Sequence, residues 1–152
     1  MGTHRISASA VINAPPGKVY PVLADYHQHH PRIVPPKYFK KIEVLEGGVG
    51  AGTRTRLTAR ILGQTRTVEH VISEPEPGRV LVESDPEGSG VTTFTVDPVR
   101  GGNATNLTIS TDFRTREGVT GALERTVMSM VFPKIYREEL DRIEKYVTGS
   151  LP

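Results

Sequence analysis

A short stretch of the sequence, DYHQHHPRIVPP at residues 25–36, contains three histidines within four positions. Imidazole nitrogens commonly bind zinc and other transition metals, so the spacing of His27, His29 and His30 suggests a metal site. If a helix reaches this stretch, His27 and His30 share a face, and a third ligand has to come from a distant strand. The alternative is a helix terminus, where histidine complements the negative end of the helix dipole and the prolines end the helix. We favour this alternative and predict no metal.

A further histidine, His70, lies in the segment QTRTVEHVIS, where it alternates with Val68 and Ile72. Residues two apart in a strand face the same side, so His70 is predicted to point towards the protein interior. A histidine on an apolar face is more often a hydrogen-bonded core residue than an acid or base, and both interpretations stay open. His70 and Tyr136 are the candidates for a catalytic role, and Tyr26 and Tyr136 are the expected hydrogen-bond partners of His70.

The composition excludes several classes of site and partner. The chain of 152 residues has no cysteine, which excludes disulfides, thiolate catalysis and a zinc site built on sulfur. The net charge of +2 is small, and the basic residues are spread along the chain without interleaved aromatic residues, so we expect no nucleic-acid partner. No stretch approaches the length of a membrane span, and the N-terminal residues lack the apolar segment of a signal peptide. We therefore expect a cytoplasmic protein without integral membrane association.

The elements that must position these side chains are mostly strands. Seven segments alternate in hydrophobicity, and turns containing glycine or proline separate most of them. They are RISASAVINA from Arg5, KKIEVLE from Lys40, GTRTRLTARIL from Gly52, QTRTVEHVIS from Gln64, RVLVES from Arg79, VTTFTVDP from Val91 and TNLTISTDF from Thr105. Helical spacing of apolar residues follows the first strand up to the histidines, and it returns over about residues 120–147. A helix of that length must lay its apolar stripe on the sheet.

The long helix carries the residues that favour a binding pocket. Met128, Phe132 and Tyr136 are four apart and share one helix face. Pro133 lies beside them and frees the carbonyl of Ser129, which typically costs about 3 kcal/mol in a helix interior. A kink at Pro133 would bow the helix away from the sheet. We therefore predict a pocket beneath the N-terminal half of this helix.

The order of elements and four segments resemble a known superfamily. The segments are INAPPGKVYPVLADY, EGGVGAGTRTRL, VISEPEPGRVLVES and FPKIYREELDRIEKYV, and the resemblance covers roughly residues 6–147. They are similar to the START-like superfamily, also called SRPBCC or polyketide cyclase-like, which includes Bet v 1-like proteins. The resemblance implies an α+β helix-grip fold, in which a curved antiparallel sheet wraps a long C-terminal helix and a short helical pair follows strand 1. Residues 1–152 are expected to form one such domain.

The predicted faces and the resemblance together select the residues expected to contact a ligand. They are Tyr26, His30, Thr55, Leu57, Ala59, His70, Phe94, Met128, Phe132 and Tyr136. His30 is included because the histidine stretch lies at the cavity entrance in the superfamily.

The resemblance also implies a function, and two classes stay open. The preferred function is binding of a small hydrophobic molecule of lipid-like, polyketide-like or aromatic chemistry, without a cofactor. The alternative is an enzyme of the polyketide cyclase, aromatase or dehydratase kind, in which His70 or a tyrosine moves a proton. The sequence makes no prediction of the oligomeric state.

Overall fold

Seven antiparallel strands form one sheet, and a helix of 30 residues packs against it. The computed structural model describes residues 2–151. The strands are β1 (Gly2–Ile12), β2 (Phe39–Glu46), β3 (Arg54–Ile61), β4 (Gln64–Glu76), β5 (Val80–Ser84), β6 (Gly90–Val99) and β7 (Ala104–Thr115). The helices are α1 (Pro16–Ala24), α2 (His30–Ile33) and α3 (Gly118–Val147), with a 3-10 turn at Arg100–Gly102. No helix within residues 2–151 is long and apolar enough to cross a membrane.

The strand order is β1-β7-β6-β5-β4-β3-β2, so the sheet is a meander with β1 added beside the last strand. The sheet is open, because β1 and β2 form its two edges. Irregular pairing interrupts β2 between Phe39 and Lys41 and β4 between Ser73 and Glu76, and such bulges bend strands. The α+β helix-grip architecture expected from the sequence is confirmed, including the helical pair after the first strand.

One row of paired residues shows which face of the sheet is inside. Ile72 pairs with Glu83, Glu83 with Thr92, and Thr92 with Thr111, which in turn lies opposite Ile6. Directly paired residues share a face of the sheet. Ile72 and Ile6 at the two ends of the row are buried, so the whole row faces the core. The sheet thus presents a carboxyl group and two hydroxyl groups to the interior.

The outer face of β3 carries charged residues, as its alternating pattern predicts. Arg54 lies 2.9 Å from Glu46 and 3.4 Å from Glu69, and Arg56 lies 3.9 Å from Glu69. All of these side chains are substantially exposed, so the pairs contribute little to stability. Glu69, next to His70 on β4, is exposed on this outer face.

The first helix is shorter than its apolar spacing predicts. α1 ends at Ala24, and the carboxylate of Asp25 then accepts the backbone N–H groups of His27 and Gln28. The chain re-enters a helical turn at His30, so the condition under which His27 and His30 would share one helix face is not met. A short polar side chain that bonds the following backbone stabilises such a turn against helix.

The long helix α3 continues through Pro133 as one element, and its two halves differ in burial. After the proline, Ile135 and Ile143 are fully buried. Before it, Met128 and Phe132 are only half-buried, although they lie on the same side of the helix. α3 packs chiefly on β1, with fewer contacts to β7, α1 and α2. The inner faces of β3 and β4 therefore make few contacts with α3.

Candidate functional site

A cluster of polar side chains is buried between the sheet and the helices. Glu83 comes from the inward row on β5, and Glu139 comes from α3. Tyr26 and His30 come from the connection after α1 and from the start of α2, and their rings stack with centroids 4.3 Å apart. Tyr136 lies one helical turn before Glu139. Of these residues, Tyr26 and His30 are each only 2% exposed, so the surroundings of the cluster are largely dry.

Two side chains converge on one oxygen atom of Glu83. The Tyr26 hydroxyl donates a hydrogen bond of 2.6 Å to Oε2, and His30 Nε2 lies 3.5 Å from the same atom. His30 Nδ1 lies 2.7 Å from the carbonyl oxygen of Leu23, which can only accept, so Nδ1 carries the proton. Burial lowers the pKa of His30 and favours the neutral ring. Nε2 of neutral His30 is therefore a hydrogen-bond acceptor that faces a carboxylate.

A chain of hydroxyl groups lies beside this pair. The Tyr136 hydroxyl bonds the hydroxyl of Thr111, which lies 2.8 Å from that of Thr92. Burial raises the pKa of Tyr136, so its hydroxyl stays protonated at neutral pH. The hydroxyls of Tyr26 and Tyr136 thus bond Glu83 and Thr111, and the prediction that they bond His70 is wrong.

Glu139 is the most unusual member of the cluster. Its side chain is 5% exposed, and its carboxyl group has no hydrogen-bond partner among residues 2–151. Burial, followed by the nearby charge of Glu83, raises its pKa from 4.5 to about 8. Glu139 is therefore mostly protonated at neutral pH, and it can gain or lose a proton at a pH close to neutral.

Beneath the N-terminal half of α3, beside the cluster, the side chains of the helix and the sheet are less buried than those beneath its C-terminal half. Leu57 and His70 on the inner face of the sheet, and Met128 and Phe132 on α3, are half-buried and reachable by solvent. Phe132 contacts Phe113 with ring centroids 4.7 Å apart, and Met128 and Phe132 pack against the edge of the core while staying half-buried.

The predicted ligand-contacting residues divide into two groups. The half-buried ones are Leu57, Ala59, His70, Met128 and Phe132. The buried ones are Tyr26, His30, Thr55, Phe94 and Tyr136. His30 is buried in the core, although its place in the sequence suggested a cavity entrance. Their contact with a ligand stays a prediction.

Two grooves lie on the protein surface, along the side of α3 that is next to β1. The larger has a volume of about 660 Å³ and includes His4, Arg125, Ser129 and Met130. The smaller, of about 240 Å³, follows the second half of β1. Both are shallow and open to solvent, and neither includes a member of the buried polar cluster. Neither groove is the pocket predicted beneath Met128 and Tyr136, and that pocket stays a prediction.

The three histidines near residue 30 diverge. His27 Nε2 lies 3.1 Å from the carbonyl oxygen of Gly47, and His29 Nδ1 lies 2.6 Å from the Tyr146 hydroxyl. His30 turns into the core. Within residues 2–151, no three His, Asp or Glu side chains lie close enough together to hold a metal ion. Each imidazole ring instead contacts a different part of the protein, namely Gly47, Tyr146 or Leu23.

Sequence reasoning missed the two carboxylates of the cluster, and both have a sequence signal. Glu83 alternates with Leu81, which is fully buried, so the two share the inner face of β5. Glu139 lies three residues after Tyr136 and four before Ile143, at the centre of the apolar stripe of α3. In both elements, a charged residue occupies a position whose strand or helix spacing predicts a buried side chain. That pattern is the signal that could have identified both carboxylates.

The comparisons with known proteins agree with this architecture. The family model for polyketide cyclase / dehydrase and lipid transport matches residues 3–148. The chain belongs to this family. No curated protein sequence matches this member of the family. Its START-like resemblance, expected from the sequence, is confirmed.

Solved structures of similar fold span nearly the whole length of this polyketide cyclase family member. The KanY protein (ms6282) is 28% identical with a TM-score of 0.83, covering 98% of this chain and 100% of that one. The protein TTHA0849 from Thermus thermophilus is 22% identical with a TM-score of 0.79, covering 98% and 100%. The Zhui aromatase/cyclase from Streptomyces sp. R1128 is 19% identical with a TM-score of 0.76, covering 99% and 97%. The last two comparisons show the fold alone.

Proposed function

We propose that this protein binds a small, mostly apolar molecule in the cleft between the inner face of β3 and β4 and the N-terminal half of α3. The observation that carries the proposal is the burial pattern of α3. Its inner face is fully buried after Pro133 and solvent-accessible before it, where Met128 and Phe132 face the sheet. Apolar side chains that face inward but remain accessible favour a ligand, because its binding would remove them from water.

The base of the cleft supplies the polar groups that would orient such a molecule. Ligand sites are typically apolar with a few convergent polar groups. Here the half-buried rim is mainly apolar, and Tyr26, His30 and Tyr136 lie deeper, beside the two carboxylates. We expect the apolar body of the ligand to contact Phe132 and its polar end to reach the cluster.

The direct test is native mass spectrometry of the protein purified from its own host, followed by extraction and identification of bound molecules. A hydrophobic molecule that co-purifies at a fixed ratio would support the proposal. Titration with the neutral dye Nile red gives a second test, because the dye reports on any accessible apolar site whatever the natural ligand is. Ala59→Trp, which adds bulk to the inner face of β3, should weaken dye binding about tenfold or more.

The matched control for that test is Arg60→Trp, which adds the same side chain to the exposed outer face of the same strand. It should leave the dye affinity unchanged. Equal binding by both variants and the unmodified protein would contradict the proposed location of the site.

The second candidate function is catalysis of the cyclase, aromatase or dehydratase kind on a molecule held in the same cleft. The observation that favours it is Glu139, because a buried carboxyl with a pKa raised to about 8 can exchange a proton near neutral pH. His70→Ala separates the two candidates. It should abolish turnover if His70 is a catalytic base, but only weaken affinity if the protein is a binder. The cytoplasmic location, the absence of a nucleic-acid partner and the single-domain organisation stay predictions.

A further inference from the structure

Glu139 is the buried group that an apolar binding cleft does not explain. Its side chain is 5% exposed, and its carboxyl oxygens keep slight contact with solvent but have no hydrogen-bond partner among residues 2–151. Burial of an ionisable group without a partner is costly, and most buried polar groups in folded proteins are paired. Its place in the apolar stripe of α3 directs it towards the sheet. A partner from outside the chain would relieve this cost.

The groups around Glu139 accept more hydrogen bonds than they donate. Glu83 offers two carboxylate oxygens, of which Oε2 accepts the Tyr26 hydroxyl. His30 Nε2 is also an acceptor, because Nδ1 holds the ring proton for the carbonyl of Leu23. The Tyr136 hydroxyl is engaged with Thr111. Once Glu139 is ionised, three acceptor groups therefore remain, namely the carboxylates of Glu83 and Glu139 and the imidazole of His30.

The cluster also lacks a positive charge. Within residues 2–151, neither Glu83 nor Glu139 forms an ion pair with a lysine or arginine, and the basic group beside Glu83 is the largely neutral ring of His30. Together with burial, the nearby charge of Glu83 raises the pKa of Glu139. Together with their burial, the charge of Glu139 in turn raises the pKa of the Tyr26 and Tyr136 hydroxyls. Two carboxylates in a dry site can both ionise only when a cation joins them.

We propose that Glu83, Glu139 and His30 bind the protonated primary amine of an otherwise apolar ligand. The inference rests on the proposed function and names the chemical class of the ligand. An ammonium group has three N–H donors for the three acceptors, and its single positive charge offsets one of the two carboxylate charges. A neutral hydroxyl offers one donor and no charge, so it satisfies the cluster less well. The Tyr26 ring, stacked on His30, adds an aromatic face beside the amine.

The test compares two probes of similar shape, 4-phenylbutylamine and 4-phenylbutan-1-ol, by isothermal titration calorimetry. At about pH 8.5 the amine should bind the unmodified protein about tenfold or more tightly than the alcohol. Glu139→Gln should remove this preference, and Glu83→Gln should reduce it independently. The matched control is Glu138→Gln, the neighbouring residue on the same helix, which should preserve the preference.

The dependence of amine binding on pH gives a second readout. An alkylamine stays protonated up to about pH 9, whereas Glu139 loses its proton near pH 8. The affinity for the amine should therefore rise about tenfold or more between about pH 6 and pH 8.5, and Glu139→Gln should remove the rise. The other titratable groups facing the site are Glu83 from β5, Tyr26 before α2, His30 from α2, His70 from β4 and Tyr136 from α3.

The outcomes separate this inference from the proposed function. Equal affinity for the two probes, or a preference that survives Glu139→Gln, would overturn the amine site. If Nile red still bound in a manner sensitive to Ala59→Trp, the proposed cleft would stand. If neither probe nor the dye bound, both proposals would be wrong.

Discussion

The rings of Tyr26 and His30 stack at 4.3 Å, and both residues reach the same carboxylate oxygen of Glu83. This arrangement ties the connection after α1 to the middle of the sheet. Because the Tyr26 hydroxyl and the inner nitrogen of His30 both lie within the core, the residues that close one side of the interior are also the ones that supply its polar groups. Structural and binding roles therefore coincide at this position.

His30 should be important for stability even without a ligand. Replacing His30 by alanine removes the stack on Tyr26, the hydrogen bond to Leu23 and the edge contact with Phe94. We expect His30→Ala to lower the free energy of unfolding by about 3 kcal/mol, measured by urea denaturation. His27→Ala, at an exposed histidine three residues earlier, is the control and should cost less than about 1 kcal/mol. Equal losses would show that burial of His30 contributes little.

The two halves of α3 should respond differently to truncation. Ile135→Ala empties a fully buried position and should lower the free energy of unfolding by about 2 to 5 kcal/mol. Phe132→Ala removes a larger side chain, but one that is only half-buried, and should cost less than Ile135→Ala. Thermal and urea denaturation of both variants check the order. A larger loss for Phe132→Ala would mean that the N-terminal half is packed more tightly than its exposure indicates.

Ionisation of Glu139 should destabilise the fold as the pH rises. Because its folded-state pKa of about 8 lies above the usual 4.5, its contribution is fully favourable below about pH 4.5 and is lost as the pH rises through about 8. The upper limit of this loss is about 5 kcal/mol. Urea denaturation between about pH 5 and pH 9 should show a decline that Glu139→Gln removes. A decline of the same size in the variant would assign it to other groups.

Protonation of His30 should destabilise the fold at acid pH. Burial holds the folded-state pKa of His30 below 6.5, so its stabilising contribution is present above about pH 6.5 and is lost as the pH falls towards the folded-state value. His30→Phe keeps a ring in the stack and cannot titrate. The stability of the unmodified protein relative to this variant should therefore fall between about pH 6.5 and pH 5. A difference that does not vary with pH would contradict this assignment.

The sequence indicated the elements and most of their faces because those depend on short-range periodicity. The alternation around Thr55 and Leu57 on β3, and the spacing of Phe132 and Tyr136 on α3, follow from strand and helix geometry alone. Inward positions such as Phe94 could therefore be predicted, and Phe94 is buried. The residue at which the first helix ends was harder to predict. The side chain of Asp25 ends the first helix early, which apolar spacing does not reveal.

By itself the sequence determined the order of strands and helices, the face that each apolar pattern buries and the absence of cysteine chemistry. Tertiary structure alone decided that Tyr26 meets Glu83, 57 residues away, and that Glu139 lies beside them without a hydrogen-bond partner among residues 2–151. The physical reason is that periodicity specifies which side of an element is inside but not what lies opposite. The pKa of a buried carboxyl depends on its surroundings, and strand register and helix packing assemble those surroundings from distant parts of the chain.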